Sequence, residues 1–391
     1  MSAHWLLPEA IEDILPVEAR RIEHLRRLLL DEFEACGYQL VIPPMLEHLE
    51  SLLSGSGQDL DLRTFKLVDQ TSGRTLGVRA DITPQVARID AHLLNREGVV
   101  RLCYCGSVLH TLPAGFNATR EPLQIGAELY GHRGIEADIE MVSLLREALR
   151  LCSLEAARID LGHVGIFHAL TISAGLDATS EQMLFAALQA KDIPALTELT
   201  SSLAEPARQA LLALPELYGG RVVIERARTL LPKLPQIAAA LDELQQLADA
   251  MPDLPIGFDL ADLRGYHYHS GIVFAAYHAD ASGAIALGGR YDDIGKAFGR
   301  ARPATGFSMD LREISRLTPW SKTRTAVLAP WPMDDKLRTE IVRLRKQGEI
   351  VWIDLPGHKN TRDETECDRL LVHKDGEWVI EPIQANRKQH G

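Results

Sequence analysis

Cysteine is scarce in this chain, and the number of cysteines is odd: Cys36, Cys103, Cys105, Cys152 and Cys367 are spread over 391 residues. A disulfide framework needs an even, closely spaced set, so these residues indicate a reducing compartment, and we expect a cytoplasmic protein. Cys103 and Cys105 are separated by one residue, and no second Cys or His pair lies at zinc-finger spacing. This predicts buried strand cysteines and no metal site.

Long hydrophobic runs are also missing. No stretch approaches the ~18 consecutive apolar residues of a membrane-spanning helix. The N-terminal sequence MSAHWLLPEAIEDILP carries acidic residues where a secretory signal would carry basic ones. We therefore expect a protein that is neither exported nor embedded in a membrane.

The chain has no excess of positive charge. Its 42 Lys and Arg residues stand against 54 Asp and Glu residues, a formal net charge of -12. Tight binding to a nucleic-acid backbone depends on cations that neutralise phosphates. The charge balance therefore argues against nucleic acid as a partner.

The commonest enzymatic signatures are absent: GxxxxGK[ST], GxGxxG after a strand, GxSxG and HExxH. Among the 14 scattered histidines, the tightest group is His267-Tyr268-His269. On a strand, its two histidines would share one face about 7 Å apart. Because no acids lie at matching spacing, we interpret them as pocket or surface groups and not as a metal pair. No cofactor is expected.

Hydrophobic periodicity predicts several elements in the first half of the chain. A helix is expected from Pro16 to Cys36, stopped by Gly37. Further predicted elements are an edge strand over Tyr38–Ile42, a hairpin of Thr64–Asp69 and Arg74–Arg79, a helix in QVARIDAHLL, and strands over Val99–Val108 and Leu123–Tyr130.

The second half is predicted to be helical from about Glu181 to Ala250, with strand signals between Ile256 and Tyr277 and again over Ala284–Leu287. A βαβ unit is expected over Thr325–Leu355. The domain prediction is therefore a core of residues 1–317, with a helical insertion at about 175–250, and a small α/β domain of residues 318–391.

Three polar clusters are the candidate binding groups: Arg79-Ala-Asp81-Ile-Thr83, Gln124-x3-Glu128 and Arg264-Gly265-x2-Tyr268. Strand alternation places Gln124, Gly126 and Glu128 on one face. If the clusters converge, they offer carboxylates for an ammonium and donors for a carboxylate, which suits a zwitterionic amino acid. The alternative is that each cluster forms only local structural ion pairs or hydrogen bonds.

Five strings over about residues 8–315 resemble, in order and spacing, the catalytic core of histidyl-tRNA synthetase. They are YQLVIPPMLE, then VRADITPQVAR, then RLCYCGSVLHT with REPLQIGAELYG, then LRGYHYHSGIVFAAY, and GGRYDDIGKAFG with PATGFSMDLREI. The resemblance implies an α+β, class II aminoacyl-tRNA synthetase-like core. Such a core is an antiparallel sheet flanked by helices, with a helical insertion, and it forms a homodimer.

The resemblance also implies which residues hold histidine. The matching positions are Asp81, Thr83, Gln124, Glu128, Arg264, Tyr268 and Tyr291. Asp81 is one methylene shorter than the Glu of the synthetase motif, and His267 and His269 replace an Asp and a Tyr.

The positions that bind ATP in the synthetase are changed. Its motif-two arginines fall on His110 and Ala118, and its motif-three arginine falls on Glu313. Arg120 lies close to the second of these positions, and Asp310 adds a new acid. Adenylate formation needs fixed cations where phosphate charge develops, so these changes predict that ATP is not bound.

The C-terminal region resembles a truncated anticodon-binding domain. About 73 residues follow Thr318, and from Ser321 to Gly391 there are 13 Lys or Arg against 12 Asp or Glu. This region therefore lacks the excess of positive charge that RNA binding would require.

A chain that keeps the amino-acid pocket and the dimer core, but has lost the ATP-binding arginines and part of the anticodon-binding domain, resembles the regulatory subunits of ATP phosphoribosyltransferase. The resemblance implies a non-catalytic homodimer within a larger hetero-oligomer, which partners the short catalytic subunit in the first step of histidine biosynthesis. It also implies feedback inhibition by histidine, the effector. Glu128 is the favoured ammonium partner. Two alternatives are a divergent histidyl-tRNA synthetase and an RNA-binding relic that senses uncharged tRNA.

Overall fold

The computed structural model describes residues 6–53, 58–113, 115, 118–266, 268–320, 325–357 and 367–383. Two compact units divide the chain, one of residues 1–319 and one of residues 320–391. No helix in the described part is long and apolar enough to cross a bilayer.

A nine-stranded sheet forms the centre of the first unit, in the order β1-β5-β6-β12-β11-β10-β7-β9-β8. Only β1/β5 and β7/β9 pair in parallel. The strands are β1 (Gln39–Leu40), β5 (Val100–Ser107), β6 (Leu123–Tyr130), β7 (Arg158–His163), β8 (Tyr218–Gly219), β9 (Ile256–Asp259), β10 (Ile272–Tyr277), β11 (Ala284–Arg290) and β12 (Ala304–Asp310). The predicted class II-like, largely antiparallel sheet is therefore present.

Helices α1 (Pro16–Ala35), α5 (Ile135–Leu151) and α12 (Leu311–Leu317) belong to the same unit, and their apolar side chains join the core of the sheet. α1 starts with a proline and ends before Gly37, whose φ of +87° suits a residue without a side chain. Its buried residues follow three-and-four spacing: Ile22, Leu25, Leu29 and Phe33. The predicted helix and its stop are confirmed.

A second, three-stranded sheet has the order β2-β4-β3, formed by β2 (Leu46–His48), β3 (Phe65–Val68) and β4 (Thr75–Val78). Helices α2 (Leu49–Leu53), α3 (Gln58–Arg63) and α4 (Thr83–Arg88) lie in the same part of the chain, and a π-helical turn continues α4 over Ile89–Leu94. β3 and β4 pair antiparallel, which confirms the predicted hairpin. Asp69 supports its turn by accepting the N–H groups of Thr71 and Ser72.

The segment from Val164 to Asp249 is mostly helical, as predicted for much of it. It contains α6 (Val164–Ser173), α7 (Ala178–Gln189), α8 (Ile193–Leu199), α9 (Glu205–Ala213), α10 (Val222–Leu230) and α11 (Pro235–Asp249). We call α6 to α11 the helical segment. The two-residue strand β8 pairs with β9. It was not predicted, because two residues carry no detectable periodicity.

The strand signals predicted between Ile256 and Tyr277 are confirmed by two separate strands, one at each end of this range. β9 ends at Asp259 and β10 begins at Ile272, and the described residues between them, 260–266 and 268–271, form turns and irregular structure. Gly265 has a φ of +64°, which a strand does not accommodate. His269 therefore does not lie on a strand face, and His267 lies outside the described residues.

The second unit contains the predicted βαβ arrangement: β13 (Val327–Ala329), α13 (Asp335–Lys346) and β14 (Val351–Ile353). A hairpin of β15 (Arg369–Lys374) and β16 (Glu377–Pro382) completes the sheet, in the order β14-β13-β15-β16. The prediction missed this hairpin, whose apolar residues alternate only partly. α13 is capped by Asp334, whose carboxylate accepts the N–H of Leu337.

Candidate functional site

Glu128 is the centre of the candidate site. It lies on β6 with 1% of its surface exposed. Its carboxylate accepts hydrogen bonds from the hydroxyls of Thr83 (3.1 Å), Tyr104 (3.0 Å) and Tyr291. Gly306 on the neighbouring strand β12 pairs in register with Glu128, and a Cβ at position 306 would collide with the carboxylate. The sheet is therefore built around this side chain.

The structure shows no cationic partner of Glu128 in the part of the chain that it describes. Among the described residues, no Lys or Arg forms an ion pair or hydrogen bond with it. Burial raises the pKa of Glu128 to about 8, although the hydroxyl donors oppose the shift. A buried carboxyl that lacks a cation is stabilised in its charged form by any cation that enters the site.

A second polar centre joins Asp81 and Gln124. The amide nitrogen of Gln124 donates to Asp81 Oδ1 at 2.8 Å, and its oxygen accepts the backbone N–H of Ile82 at 2.9 Å. The backbone N–H of Thr83 also donates to Asp81, at 3.0 Å. Thr83 therefore contacts both centres, Asp81 with its backbone and Glu128 with its hydroxyl.

Aromatic rings line the site beside Glu128. The rings of Tyr268 and Tyr291 are 5.0 Å apart, and Tyr130 meets Tyr291 edge-on at 6.3 Å. The Tyr268 hydroxyl is buried, and no described residue forms a hydrogen bond with it. A buried hydroxyl without a partner is costly unless a ligand supplies one. The ring of His269 meets the ring of Tyr268 edge-on at 5.2 Å. Burial lowers the pKa of His269 to about 4, so its ring is neutral.

Sequence reasoning missed Tyr104 and Tyr130. Tyr130 continues the Gln124, Gly126, Glu128 alternation of β6, so period two could have identified it. Tyr104 pairs in register with Gly126 on the neighbouring strand. Only strand pairing brings it to Glu128.

The two arginines of the predicted clusters make other contacts. Arg264 bonds the carboxylate of Asp262 and lies over the ring of Tyr277 at 5.5 Å. Arg79 donates to the backbone oxygens of Ser107 and Pro43, both at 2.8 Å. The structure thus brings together six of the seven predicted histidine-binding residues, and among the described residues no hydrogen bond, ion pair or ring contact joins Arg264 to them.

The positions that correspond to ATP ligands carry little positive charge. His110 is buried, and its Nε2 lies 2.9 Å from the backbone oxygen of Ala80. Burial and the neighbouring Arg63 lower the pKa of His110, so the ring is neutral. Ala118 is half-buried. Burial and nearby Asp310 raise the pKa of Glu313.

Two arginines near these positions, Arg120 and Arg312, already form hydrogen bonds within the protein. Arg120 donates to the backbone oxygen of His110 at 3.0 Å and lies over Phe65. Arg312 is buried and bonded to Glu12 at 2.9 Å. Asp310 accepts the N–H groups of Leu123 and Arg312, both at 3.0 Å. The new acid at position 310 therefore has a structural role at the start of α12.

Within the described residues, no group of three or more His, Cys, Asp or Glu side chains is arranged to hold a metal ion. Cys103 is buried and Cys105 is half-buried on β5.

Comparison with known proteins decides between the readings that the sequence left open. A family model described as Histidyl-tRNA synthetase matches residues 10–314. A second, described as ATP phosphoribosyltransferase subunit HisZ C-terminal domain, matches residues 324–381. An ATP phosphoribosyltransferase regulatory subunit from Azoarcus sp. (strain BH72) is 61% identical over 381 residues, 97% of this chain and 99% of that protein. This chain belongs to the family of ATP phosphoribosyltransferase regulatory subunits.

Further members of the family agree. The regulatory subunit from Ralstonia pickettii (strain 12J) is 58% identical over 386 residues, 99% of this chain and all of that protein. The family prediction from the sequence is thereby confirmed, and the chain is a regulatory subunit, not the catalytic one.

Solved structures show the same fold. A crystal structure titled as an ATP phosphoribosyltransferase regulatory subunit/histidyl-tRNA synthetase from Bacillus halodurans superimposes with a TM-score of 0.81, at 28% identity, covering 94% of this chain and 97% of that one. Histidyl-tRNA synthetase from Nostoc sp. PCC 7120 gives a TM-score of 0.78 at 19% identity, with 97% of both chains covered. The latter similarity concerns the fold alone.

Proposed function

We propose that this chain assembles with the short catalytic subunit of ATP phosphoribosyltransferase, is required for its activity, and binds histidine as the feedback inhibitor of the complex. The observation that carries the proposal is a buried carboxylate, Glu128, that has three hydroxyl donors and, among the described residues, no cationic partner. The chain itself performs no turnover.

The chemistry of the site supports an amino acid as its ligand. Asp81 and Glu128 can bind ammonium or N–H groups, and Gln124 and Thr83 supply further polar contacts. The neighbouring rings of Tyr268 and Tyr291, tilted by 37° to each other, offer aromatic surface against which an imidazole can pack. We therefore propose that histidine binds at this cluster, with Glu128 as the favoured partner of its ammonium.

The most direct test is calorimetry with Glu128→Ala in the assembled complex. We expect histidine affinity to fall roughly a hundredfold, because truncating a buried charged partner costs a few kcal/mol. The histidine concentration needed for inhibition should rise in parallel, with assembly and basal activation unchanged. Glu155→Ala, which removes an exposed carboxyl, is the matched control. Unchanged affinity in Glu128→Ala would place the effector elsewhere, for example at the interface between the two kinds of subunit.

A divergent synthetase would behave differently in an ATP-pyrophosphate exchange assay. With His110 and Glu313 at the nucleotide positions, we expect no histidine-dependent exchange above background. Exchange at a rate proportional to protein concentration would contradict the non-catalytic assignment.

A further inference from the structure

The turns between β9 and β10 connect the candidate pocket to the helical segment. We call residues 260–266 and 268–271 the pocket loop. Tyr268 and His269 lie at its pocket end, where Tyr268 packs on Tyr291. Tyr266, two residues earlier, lies against the helical segment.

The ring of Tyr266 is packed between two helices. It meets Phe167 of α6 edge-on at 5.2 Å and Phe185 of α7 at 5.5 Å. Such aromatic pairs contribute beyond the area they bury. The ring packing therefore contributes to the contact between this end of the loop and the two helices.

The hydroxyl of Tyr266 adds polar contacts with the same two helices. It donates to Glu181 Oε1 on α7 at 2.5 Å and lies 3.2 Å from His168 Nδ1 on α6. Burial and the Glu181 carboxylate raise the pKa of Tyr266, so the hydroxyl keeps its proton and stays a donor. One side chain therefore ties the loop to both helices.

The pocket loop is held together by short-range hydrogen bonds. The N–H of Tyr266 donates to the oxygen of Leu263 at 2.9 Å, and the N–H groups of Tyr268 and His269 donate to the oxygen of Gly265 at 2.7 and 2.8 Å. Tyr266 and Tyr268 cannot be more than about 7 Å apart along the chain. Because the N–H groups of Tyr268 and His269 bond Gly265, the residue next to Tyr266, we expect a displacement at the pocket end of the loop to reach Tyr266.

We propose that Tyr266 is the positioning residue through which histidine in the pocket is sensed by α6 and α7 of the helical segment. The proposal rests on the proposed function, since it needs histidine at Glu128. The Tyr268 hydroxyl, which no described residue satisfies, is the group on the loop that a ligand contacts. Because Tyr266 bonds Glu181 and His168, an arrangement of the loop that histidine selects is coupled to the arrangement of both helices.

The test is hydrogen exchange of residues 164–189 in the complex with the catalytic subunit, with and without saturating histidine. We expect histidine to slow exchange in this region about threefold or more. In Tyr266→Phe, which keeps the ring packing and loses the hydroxyl, this protection should disappear. The histidine concentration for half-inhibition should rise roughly fivefold, the effect of one hydrogen bond.

Matched variants separate this role from a loss of folding. Tyr218→Phe makes the same chemical change in the helical segment at a hydroxyl with no hydrogen bond in the described part of the chain, and it should behave as the unmodified protein. Glu181→Ala should reproduce Tyr266→Phe, whereas Glu181→Gln, which keeps an acceptor oxygen, should retain the response. If Tyr266→Phe fails to fold, the two Glu181 variants decide the question.

The possible failures are distinguishable. Normal protection and inhibition in Tyr266→Phe, or no protection in the unmodified complex, would overturn this inference. If Glu128→Ala abolishes histidine binding in the same experiments, the proposed histidine site would stand although the role of Tyr266 is wrong. If Glu128→Ala binds histidine normally, the site itself is wrong, and this inference falls with it.

Discussion

At the scale of single residues, the environment of Glu128 determines what the site can do. Its carboxylate is buried, and the described side chains that donate hydrogen bonds to it are all hydroxyls. Hydroxyl donors stabilise the negative charge less than an arginine or lysine would. The side chain is therefore poised to gain from a cationic or N–H-donating ligand.

Histidine binding should depend on pH because of this carboxyl. With its pKa raised to about 8, Glu128 is mostly protonated at pH 7 and half ionised at pH 8. A ligand that needs the carboxylate must displace a proton below pH 8, so we expect affinity to rise about fivefold from pH 7 to pH 8. Calorimetry in buffers of different ionisation heat measures this proton release. A pH-independent affinity would contradict it, and Glu128→Gln should remove the dependence.

The same shift has a consequence for stability in the absence of ligand. The folded-state pKa of Glu128 lies above its unfolded value, so the folded protein binds more protons and loses stability as pH rises. We expect the free energy of unfolding to fall by about 2 kcal/mol from pH 6 to pH 8.5 relative to Glu128→Gln. Urea titrations of both proteins measure the difference. Parallel pH profiles would show that Glu128 is not the responsible group.

At the scale of secondary structure, the strand pair β6/β12 makes room for the site. Gly306 stands opposite Glu128, and a Cβ there would also approach the backbone oxygen of Ala127. The glycine is needed for close approach, since its φ is not in the left-handed region.

Gly306→Ala should therefore be costly. We expect it to lower the free energy of unfolding by roughly 1–3 kcal/mol through overpacking, and to weaken histidine binding by displacing the carboxylate. Chemical denaturation and calorimetry measure the two effects. Gly283→Ala is the control, since nothing lies within 4 Å of the added methyl group. Equal stability of the two variants would contradict the packing argument.

At the scale of the whole molecule, the first unit exposes apolar side chains around β1, the edge strand of the large sheet. Leu40 is 51% exposed and Ile42 is 82% exposed. They precede Pro43-Pro44, and Met45 and Leu46 follow with 42% and 45% exposure. Several exposed apolar side chains so close together in the sequence favour association with a second copy.

We expect the isolated chain to be a homodimer at micromolar concentration. Light scattering should report twice the mass of one chain, and Ile42→Asp should shift the protein towards monomer. Val222→Asp changes another exposed apolar residue, on α10, and should leave the dimer intact. A monomeric unmodified chain would contradict this expectation.

ATP alone should not stabilise the chain. A ligand that binds the native state raises stability in proportion to the logarithm of its concentration over its dissociation constant. Neither the neutral ring of His110 nor the carboxyl group of Glu313 supplies a positive charge for the phosphates of ATP. We therefore expect a shift in melting temperature below about 1 °C at millimolar ATP. Histidine should produce a clear shift in the same assay. A marked rise with ATP would show that other residues have rebuilt the nucleotide site.

Periodicity and local signals in the sequence determined much of the architecture. The apolar spacing of α1, the turn signals of the β3/β4 hairpin and the alternation of β6 each specify a local structure, and the structure confirms all three. The ordered motifs also predicted the family, which the comparisons confirmed. These signals work because each depends on residues that are close in sequence.

Other features depended on tertiary structure. Tyr104 reaches Glu128 only through the β5/β6 register, and Gly306 faces it only through the β6/β12 register. Arg264 was predicted in the pocket but bonds Asp262, because a nearby carboxylate competes for the guanidinium. The contact of Tyr266 with α6 and α7 joins residues about a hundred positions apart, for example Phe167. Which polar groups are buried together, and which lack a partner, is fixed by such long-range packing and not by local sequence.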